Sequence, residues 1–104
     1  MNLIEAIRGG STLELPLVYV RDAVVFPKAI VPLLAGTKFS VAAVEEALRG
    51  EKRIVAALLK SIGDEKGAEI EVHAVATVAR IVQQVRLDGS VRLLVEGEAR
   101  VRVR

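Results

Sequence analysis

The chain has 104 residues and a net charge of +2, with 52% apolar residues but only one Tyr, two Phe and no Trp. This composition is too hydrophobic for a disordered chain and predicts a single domain with an aliphatic core. The absence of Cys excludes disulfides and thiolate metal sites, and a lone histidine, His73, excludes a His-rich metal site. The apolar runs at 29–35 and 54–59 are far shorter than the ~20 residues that span a membrane, and residues 1–11 lack the pattern of a signal peptide. We therefore predict a cytoplasmic protein that does not enter a membrane.

The N-terminal part of the chain divides into an arm and a first strand. Residues 1–11 have apolar residues at helical spacing until Gly9-Gly10, and we expect them to form a loose arm outside the core. From Leu13 to Tyr19 the apolar residues alternate with others, which predicts a strand. Pro16 cannot donate a ladder hydrogen bond, so it should lie at an edge or a bulge of that strand.

Residues 24–39 combine short β-prone runs with prolines. The runs are Val24–Phe26 and Ile30–Leu34, and Pro27 and Pro32 interrupt them. Because the prolines prevent one long strand, successive apolar side chains cannot all alternate into a small core. We expect Phe26, Pro27, Ile30 and Leu34 to remain partly exposed, where they would form a protein-binding patch.

One helix is predicted, over Val41–Arg49. Ser40 is placed to cap its N-terminus, and Gly50 to follow its C-terminus. Val41, Val44 and Leu48 form an apolar stripe that should be buried, with Ala47 beside it.

The second half of the chain is predicted to be β-rich. Ile54–Leu59 is continuously apolar, which indicates a strand buried on both faces or a short helix. A polar loop over Ser61–Glu69 should precede one long or bent strand over Ile70–Arg86. A three-residue loop, Leu87-Asp88-Gly89, with Gly89 at positive φ, is predicted to follow. It would pair Val85 with Val91 and Ile81 with Val95, and would set Arg80 against Glu96, so that apolar residues match across the hairpin and one opposite-charge pair forms.

No motif of catalysis is present. There is no phosphate-binding Gly-rich loop and no Ser elbow, and we interpret His73 as structural. The carboxylates at 64, 65, 69 and 71 are interpreted as a solvated loop surface. Six of the ten Arg residues lie at 80–104, but carboxylates are interleaved with them and no aromatic residue is there to stack a base. An ordinary solvated sheet face is therefore favoured over a nucleic-acid site.

Three separated segments resemble one family. Residues 13–47 have an L-P…R-D start, a V-V-F-P step and a Ser-led helix, residues 77–81 read T-V-A-R-I, and residues 87–97 carry an L-D-G turn and an L-V-E-G close. In this order they resemble the N-terminal substrate-recognition domain of Lon proteases. The chain differs where Lys28 and Ala76 replace glycines of the family pattern and where the hairpin turn lacks a proline.

The resemblance implies a PUA-like fold, mainly β (α+β), in which about six strands form a small twisted pseudo-barrel or sandwich with one helix. Residues 12–104 would be its β-rich subdomain, and the alternation that continues to Arg104 predicts a piece of a longer protein. The implied role is noncatalytic: capture of unfolded or damaged proteins for a hexameric ATP-dependent protease. ATP and Mg²⁺ would bind only modules outside this chain, and no cofactor is expected here. A stand-alone protein-binding module of the same kind is an alternative, as is a PUA-like RNA-binding module.

Overall fold

The computed structural model describes residues 3–8, 10–20, 24–62 and 70–103. These residues contain a seven-stranded sheet and one helix, which confirms the mainly β fold. In chain order the elements are β1 (Leu3–Arg8), β2 (Ser11–Val20), β3 (Ile30–Ala35), α1 (Lys38–Arg49), β4 (Arg53–Ile62), β5 (Ile70–Val72), β6 (Val75–Leu87) and β7 (Ser90–Val103). Most of the predicted loop over 61–69, and the residues between β2 and Val24, lie outside the described residues.

Five strands close into a ring. The order is β1-β2-β4-β6-β7, and β1 also pairs with β7, so that the first and last strands of the chain meet. The pairing of β2 with β4 is parallel, and the other pairings are antiparallel. Strand β3 lies outside the ring on β7, and β5 lies on β4. This closed arrangement agrees with the predicted pseudo-barrel.

Two hydrophobic clusters hold the sheet together. All five ring strands contribute to the first, which we call the ring core: Ala6, Leu15, Leu17, Val55, Ala57, Ala76, Val78 and Val101. The second, the helix-side core, lies between the sheet and α1 and includes alternating residues of β7 and β6: Leu93, Val95, Ala79 and Ile81. The run 54–57 of β4 is buried throughout because its residues enter the two cores alternately. The predicted strand with two buried faces is confirmed there.

The expected loose arm is wrong for Leu3–Arg8. This segment pairs with β2 from Leu3↔Pro16 to Arg8↔Ser11, and Ala6 is completely buried. Ile4 and Ala6, two residues apart, both pack into the ring core, so the apolar spacing that suggested a helix serves a strand instead. Closing the ring requires this strand, because β1 is the element that pairs with both β2 and β7.

Pro16 lies where β2 changes partner. Residues up to Pro16 pair with β1, and residues from Leu17 pair with β4. A residue without an N–H is tolerated at this transition, because Pro16 itself pairs on one side only. The predicted edge position is thus present locally, although β2 is not an edge strand of the sheet. Beyond Pro16 the strand is buried on both faces, with Leu17 in the ring core and Val18 in the helix-side core.

The helix begins earlier than predicted. Its N-cap is Thr37, whose Oγ1 accepts a hydrogen bond from the Ser40 N–H at 3.1 Å and another from the Tyr19 hydroxyl at 3.0 Å. Ser40 is therefore a buried residue of the first turn rather than the cap. Of the predicted stripe only Val44 is fully buried; Val41 and Leu48 are half-buried, because the smaller Ala43 and Ala47 form the centre of the contact. Gly50 follows the helix as predicted but has φ −113°; the positive φ of this connection is at Lys52.

The hairpin of β6 and β7 has a different register from the one predicted. The single strand expected over 70–86 is divided at His73-Ala74 into β5 and β6. At the turn Leu87 pairs with Ser90, so the loop is Asp88-Gly89, and Val85 faces Arg92 instead of Val91. A register shift between Ile81 and Gln83 then restores the predicted pairs Ile81↔Val95 and Arg80↔Glu96. Residues 82–89 are all exposed, so no core contact opposes this register near the turn. Gly89 has the predicted positive φ, at 75°.

Candidate protein-binding surfaces

The turn between Val25 and β3 has the pattern of a type II turn. The Ala29 N–H donates to the Phe26 carbonyl at 3.1 Å, Pro27 occupies the second position, and Lys28 has φ 69°. A type II turn requires positive φ at its third position, where glycine is strongly preferred. Lys28 is the residue that stands where the resembling family has glycine, so the structure gives that difference a physical meaning.

Gly97 of β7 allows the turn to approach the sheet. The Lys28 N–H donates to the Gly97 carbonyl at 2.8 Å, and the Gly97 N–H donates to the Ala29 carbonyl at 2.9 Å. A Cβ at position 97 would lie 2.2 Å from the Phe26 carbonyl oxygen, far inside any normal contact. Only glycine therefore permits this approach of the two backbones.

Thr77 of β6 also holds the Phe26 turn, through a hydrogen bond to the Val25 carbonyl. Its buried hydroxyl donates to the Val25 carbonyl at 2.6 Å and accepts a weak hydrogen bond from Nη1 of Arg100 at 3.4 Å. The Arg100 guanidinium carbon lies 5.2 Å from the centre of the Phe26 ring, within range of a cation–π contact. The V-V-F-P, T-V-A-R-I and L-V-E-G segments, distant in sequence, thus meet around Phe26.

The four predicted site residues are exposed but do not share one face. Phe26 is 56% exposed, Ile30 and Leu34 are each 59% exposed, and Pro27 is exposed as well. Ile30 and Leu34 pair with Glu96 and Arg92, which are on the side of β7 opposite to the helix-side core. Phe26 contacts Arg100, whose partner Thr77 is on the same side of β6 as Ala79 and Ile81 of that core. Register therefore separates Phe26 from Ile30 and Leu34.

We call the surface with Ile30 and Leu34 the outer face. Its three rows run across β3, β7 and β6, because directly paired residues project to the same side. The rows are Ile30–Glu96–Arg80, Pro32–Leu94–Gln83 and Leu34–Arg92–Val85. Val85 is 56% exposed, Leu94 is half-buried, and Val82 at the register shift is 46% exposed. The outer face is thus an apolar surface with charged residues in two of its rows.

The comparisons with known proteins agree with one another. A family model described as "ATP-dependent protease La (LON) substrate-binding domain" matches residues 14–104. The chain belongs to this family. Similar curated proteins include Lon protease of Xanthomonas oryzae pv. oryzae, 40% identical over 92 residues, and Lon protease 1 of Syntrophobacter fumaroxidans, 44% identical over 97 residues. The matches cover 88% and 91% of this chain but only 11% and 12% of those proteins, so the chain corresponds to about a tenth of their length.

A solved structure supports the same fold. The N-terminal domain of Mycobacterium avium complex Lon protease superposes with a TM-score of 0.63 at 23% identity, covering 86% of this chain and 53% of that one. At this identity the similarity supports the fold alone. The family match gives this Lon substrate-binding domain its coarse role, and the residues that perform it are argued below from this chain.

Three of the six strand arginines whose side chains the structure of this Lon domain describes are paired with carboxylates. Arg80 contacts Glu96 at 3.1 Å, a pair that the sequence predicted. Arg53 contacts Glu98 at 2.9 Å, and Arg86 contacts Glu45 at 3.2 Å. Such exposed pairs contribute little to stability, but they neutralise the charge that a phosphate backbone would need. Within the part of the chain that the structure describes, Arg92, Arg100 and Arg102 have no such pair.

The candidates for metal chemistry have no common site in the described ranges. His73 is exposed, and its backbone N–H donates to the Leu58 carbonyl at 2.9 Å in the connection between β5 and β6. Asp64, Glu65 and Glu69 lie outside the described residues, as does the side chain of Glu71. Among the residues described, no group of three metal-ligating side chains is present, and no helix is long and apolar enough to cross a membrane.

Sequence reasoning missed Leu94 and Val85. It identified the apolar excess of residues 24–39 but assigned the β6–β7 hairpin a register that placed Val85 against Val91. The exposed residues 82–87 carry three apolar side chains, Val82, Val85 and Leu87, among polar ones. Because these apolar residues do not alternate strictly with polar ones, the sequence could have indicated that one side of the hairpin is apolar although it is not part of the core.

Proposed function

We propose that this domain captures unfolded or damaged proteins through its outer face, as the noncatalytic substrate-binding part of a Lon-type ATP-dependent protease. The observation that carries the proposal is the exposure of Ile30 and Leu34, both on the outer face. Unfolded chains expose apolar side chains that folded proteins bury. A surface that binds such side chains through apolar contacts, and not through specific hydrogen bonds, selects the unfolded state and tolerates many client sequences.

The spacing of the outer face suits an extended chain. Ile30, Pro32 and Leu34 project from one side of β3 at intervals of ~6.6 Å, which is also the interval of alternate side chains in a client strand. A client that buries about half of the exposed area of Ile30 or Leu34 would gain roughly 1 kcal/mol from each. The resulting contacts are weak one by one, which is compatible with the release of a client to the next module.

ATP hydrolysis and peptide cleavage would belong to other parts of a longer, hexameric protein. ATP and Mg²⁺ would bind those parts, and this domain would contribute clients in the cytoplasm. A stand-alone client-binding protein would use the same face. The sequence that follows Arg104 in the gene distinguishes the two, since a P-loop downstream indicates the protease.

The test compares one reporter domain in two states. The reporter is a small domain, used in its folded form and as a point variant that is unfolded at the assay temperature. The C-terminal residue of each form is polar. Each form is titrated with this chain and followed by fluorescence anisotropy. We expect the unfolded form to bind and the folded form not to bind. Ile30→Ser with Leu34→Ser should weaken binding by about tenfold or more, from ~1 kcal/mol per side chain.

A matched control accompanies this double variant. Leu3→Ser removes a half-buried apolar side chain of β1, a strand that pairs with β2 and with the 102–103 end of β7, away from the rows of the outer face. Its affinity for the unfolded reporter should equal that of the unmodified chain. Equal binding of the folded and unfolded reporter, or equal effects of the double variant and the control, would refute this assignment of the outer face.

A further inference from the structure

A small cavity lies beside the Phe26 turn, on the side of the sheet away from the outer face. Its volume is about 160 Å³. Apolar side chains of Val20, Leu58 and Val75 line it, together with Thr77, His73 and Arg100. An apolar cavity of about 150 Å³ is large enough for a benzene molecule, so this one can take a single aliphatic or aromatic side chain.

The polar side of the cavity is positively charged. The Arg100 guanidinium is held by Thr77 Oγ1 on one side and the Phe26 ring on the other. Arg102, the next residue on the same strand that is exposed, pairs directly with Val75 at the cavity wall. Neither arginine has an ion pair within the described ranges, in contrast to Arg53, Arg80 and Arg86.

We propose that this cavity binds the C-terminal residue of an unfolded client, with an apolar side chain inside and the α-carboxylate on Arg100. This proposal rests on the proposed function, because it names one class of client end. A C-terminal residue carries an apolar group and a carboxylate on the same Cα, which matches an apolar cavity with a guanidinium at its mouth. Arginine presents paired N–H donors that fit a carboxylate.

The Phe26 turn is the positioning device of the cavity. Phe26 does not line the cavity but lies against the guanidinium, while Thr77 holds both that guanidinium and the turn. Phe26, which is 56% exposed, would then position Arg100 and would not itself contact the client. The three family-like segments accordingly converge at this turn and not at the outer face.

The experiment uses a Gly–Ser peptide of eight residues that ends in leucine, prepared as the free acid and as the C-terminal amide. Each is titrated into the ¹⁵N-labelled chain and followed by NMR. We expect the acid to shift the amides of Val75, Thr77 and Arg100, and amidation to weaken binding by roughly tenfold, as for the loss of one charge-assisted hydrogen bond. Arg100→Gln should bring the acid to the affinity of the amide, while Arg100→Lys should keep part of the difference.

Arg92→Gln is the matched control, because Arg92 is an exposed arginine of the same strand, without an ion pair in the described ranges, but lies on the outer face. It should leave the difference between acid and amide unchanged. Equal affinity of acid and amide for the unmodified chain overturns the proposal, whether or not Arg100→Gln folds. So do shifts confined to Ile30, Leu34 and Leu94. If the unfolded reporter still binds the same preparation, the C-terminal site is refuted but the proposed function is not. If the reporter does not bind while the acid peptide does, the proposed function is refuted but the C-terminal site is not.

Discussion

Replacing Gly97 with alanine should destabilise the domain by disrupting the contact between β7 and the Phe26 turn. The new Cβ would lie 2.2 Å from the Phe26 carbonyl oxygen, 2.9 Å from its carbonyl carbon and 3.2 Å from Val25 Cγ1. Carbon–oxygen contacts are normally no closer than about 3.3 Å, so the carbonyl would have to retreat by about 1 Å. Both of the nearest atoms are backbone, and no side-chain rotation can relieve the clash.

The magnitude follows from what that movement disturbs. The hydrogen bonds from Lys28 to Gly97 and from Gly97 to Ala29 have lengths of 2.8 and 2.9 Å and would both be strained. Each is worth about 1 kcal/mol, and overpacking adds about 1–3 kcal/mol. The smaller entropy of an unfolded chain with alanine offsets roughly 0.4–1 kcal/mol of this. The net expectation is a loss of about 2–3 kcal/mol in the free energy of unfolding.

Urea denaturation followed by circular dichroism measures this loss. With a slope of about 1–1.5 kcal/mol/M for a domain of this size, the midpoint should fall by roughly 2 M. Gly36→Ala is the matched control: a Cβ at Gly36 would meet nothing within 4 Å, and its φ is not in the positive range. An unchanged midpoint for Gly97→Ala, with unchanged hydrogen-exchange protection of the Lys28 and Gly97 amides, would show that the turn does not approach β7 as described.

Substitutions at three further positions test the turns and the buried hydroxyl. Lys28→Gly should raise the free energy of unfolding by about 1 kcal/mol, because φ 69° suits glycine; a lower urea midpoint would contradict the type II turn. Thr77→Val should cost about 1–3 kcal/mol by leaving the Val25 carbonyl without its donor, whereas Thr77→Ser should retain most of the stability; equal melting temperatures for the two variants would exclude the hydrogen bond. Gly89→Val should lower the melting temperature, because a β-branched residue at φ 75° is strained; a neutral result would argue against the observed turn.

The sequence predicted the elements whose residues are buried more reliably than those that are exposed. The strand over 54–59 and the helix near Val44 follow from apolar patterns that burial enforces. The pairs Ile81↔Val95 and Arg80↔Glu96 were found from the matching of apolar and charged residues. Closer to the turn, residues 82–89 are all exposed, and no burial distinguishes one register from another.

The closure of the ring by strands from the two ends of the chain could not be predicted from local sequence patterns. Whether Leu3–Arg8 is an arm or a strand depends on its pairing with β2 and with Val103, nearly a hundred residues away. The N-cap was missed by three residues because Thr37 and Ser40 are both good capping residues, and the hydroxyl of Tyr19 selects the first.

The exposure of Phe26, Pro27, Ile30 and Leu34 was predicted from the sequence, but their arrangement was not. The crowding of residues 24–39 by prolines indicated which side chains remain exposed. It could not indicate that Phe26 and Ile30 leave opposite sides of the sheet, because that depends on Gly97 and Thr77, which come from the other end of the chain.

Among the residues that the structure describes, β3 has a neighbouring strand on one side only, β7, and its other edge limits how this domain can pair with a further strand. Gly97 donates to Ala29, so along the following ladder Val31 and Leu33 direct their backbone groups to β7, while Ile30, Pro32 and Leu34 direct theirs away from the sheet. Pro32, at the centre of that edge, has no N–H to offer, and an incoming strand would meet a gap in the row of donors. Proteins use proline in this way against edge-to-edge aggregation. The outer face that we propose as a client-binding surface would thereby be kept from joining copies of this domain, or its clients, into a continuous sheet.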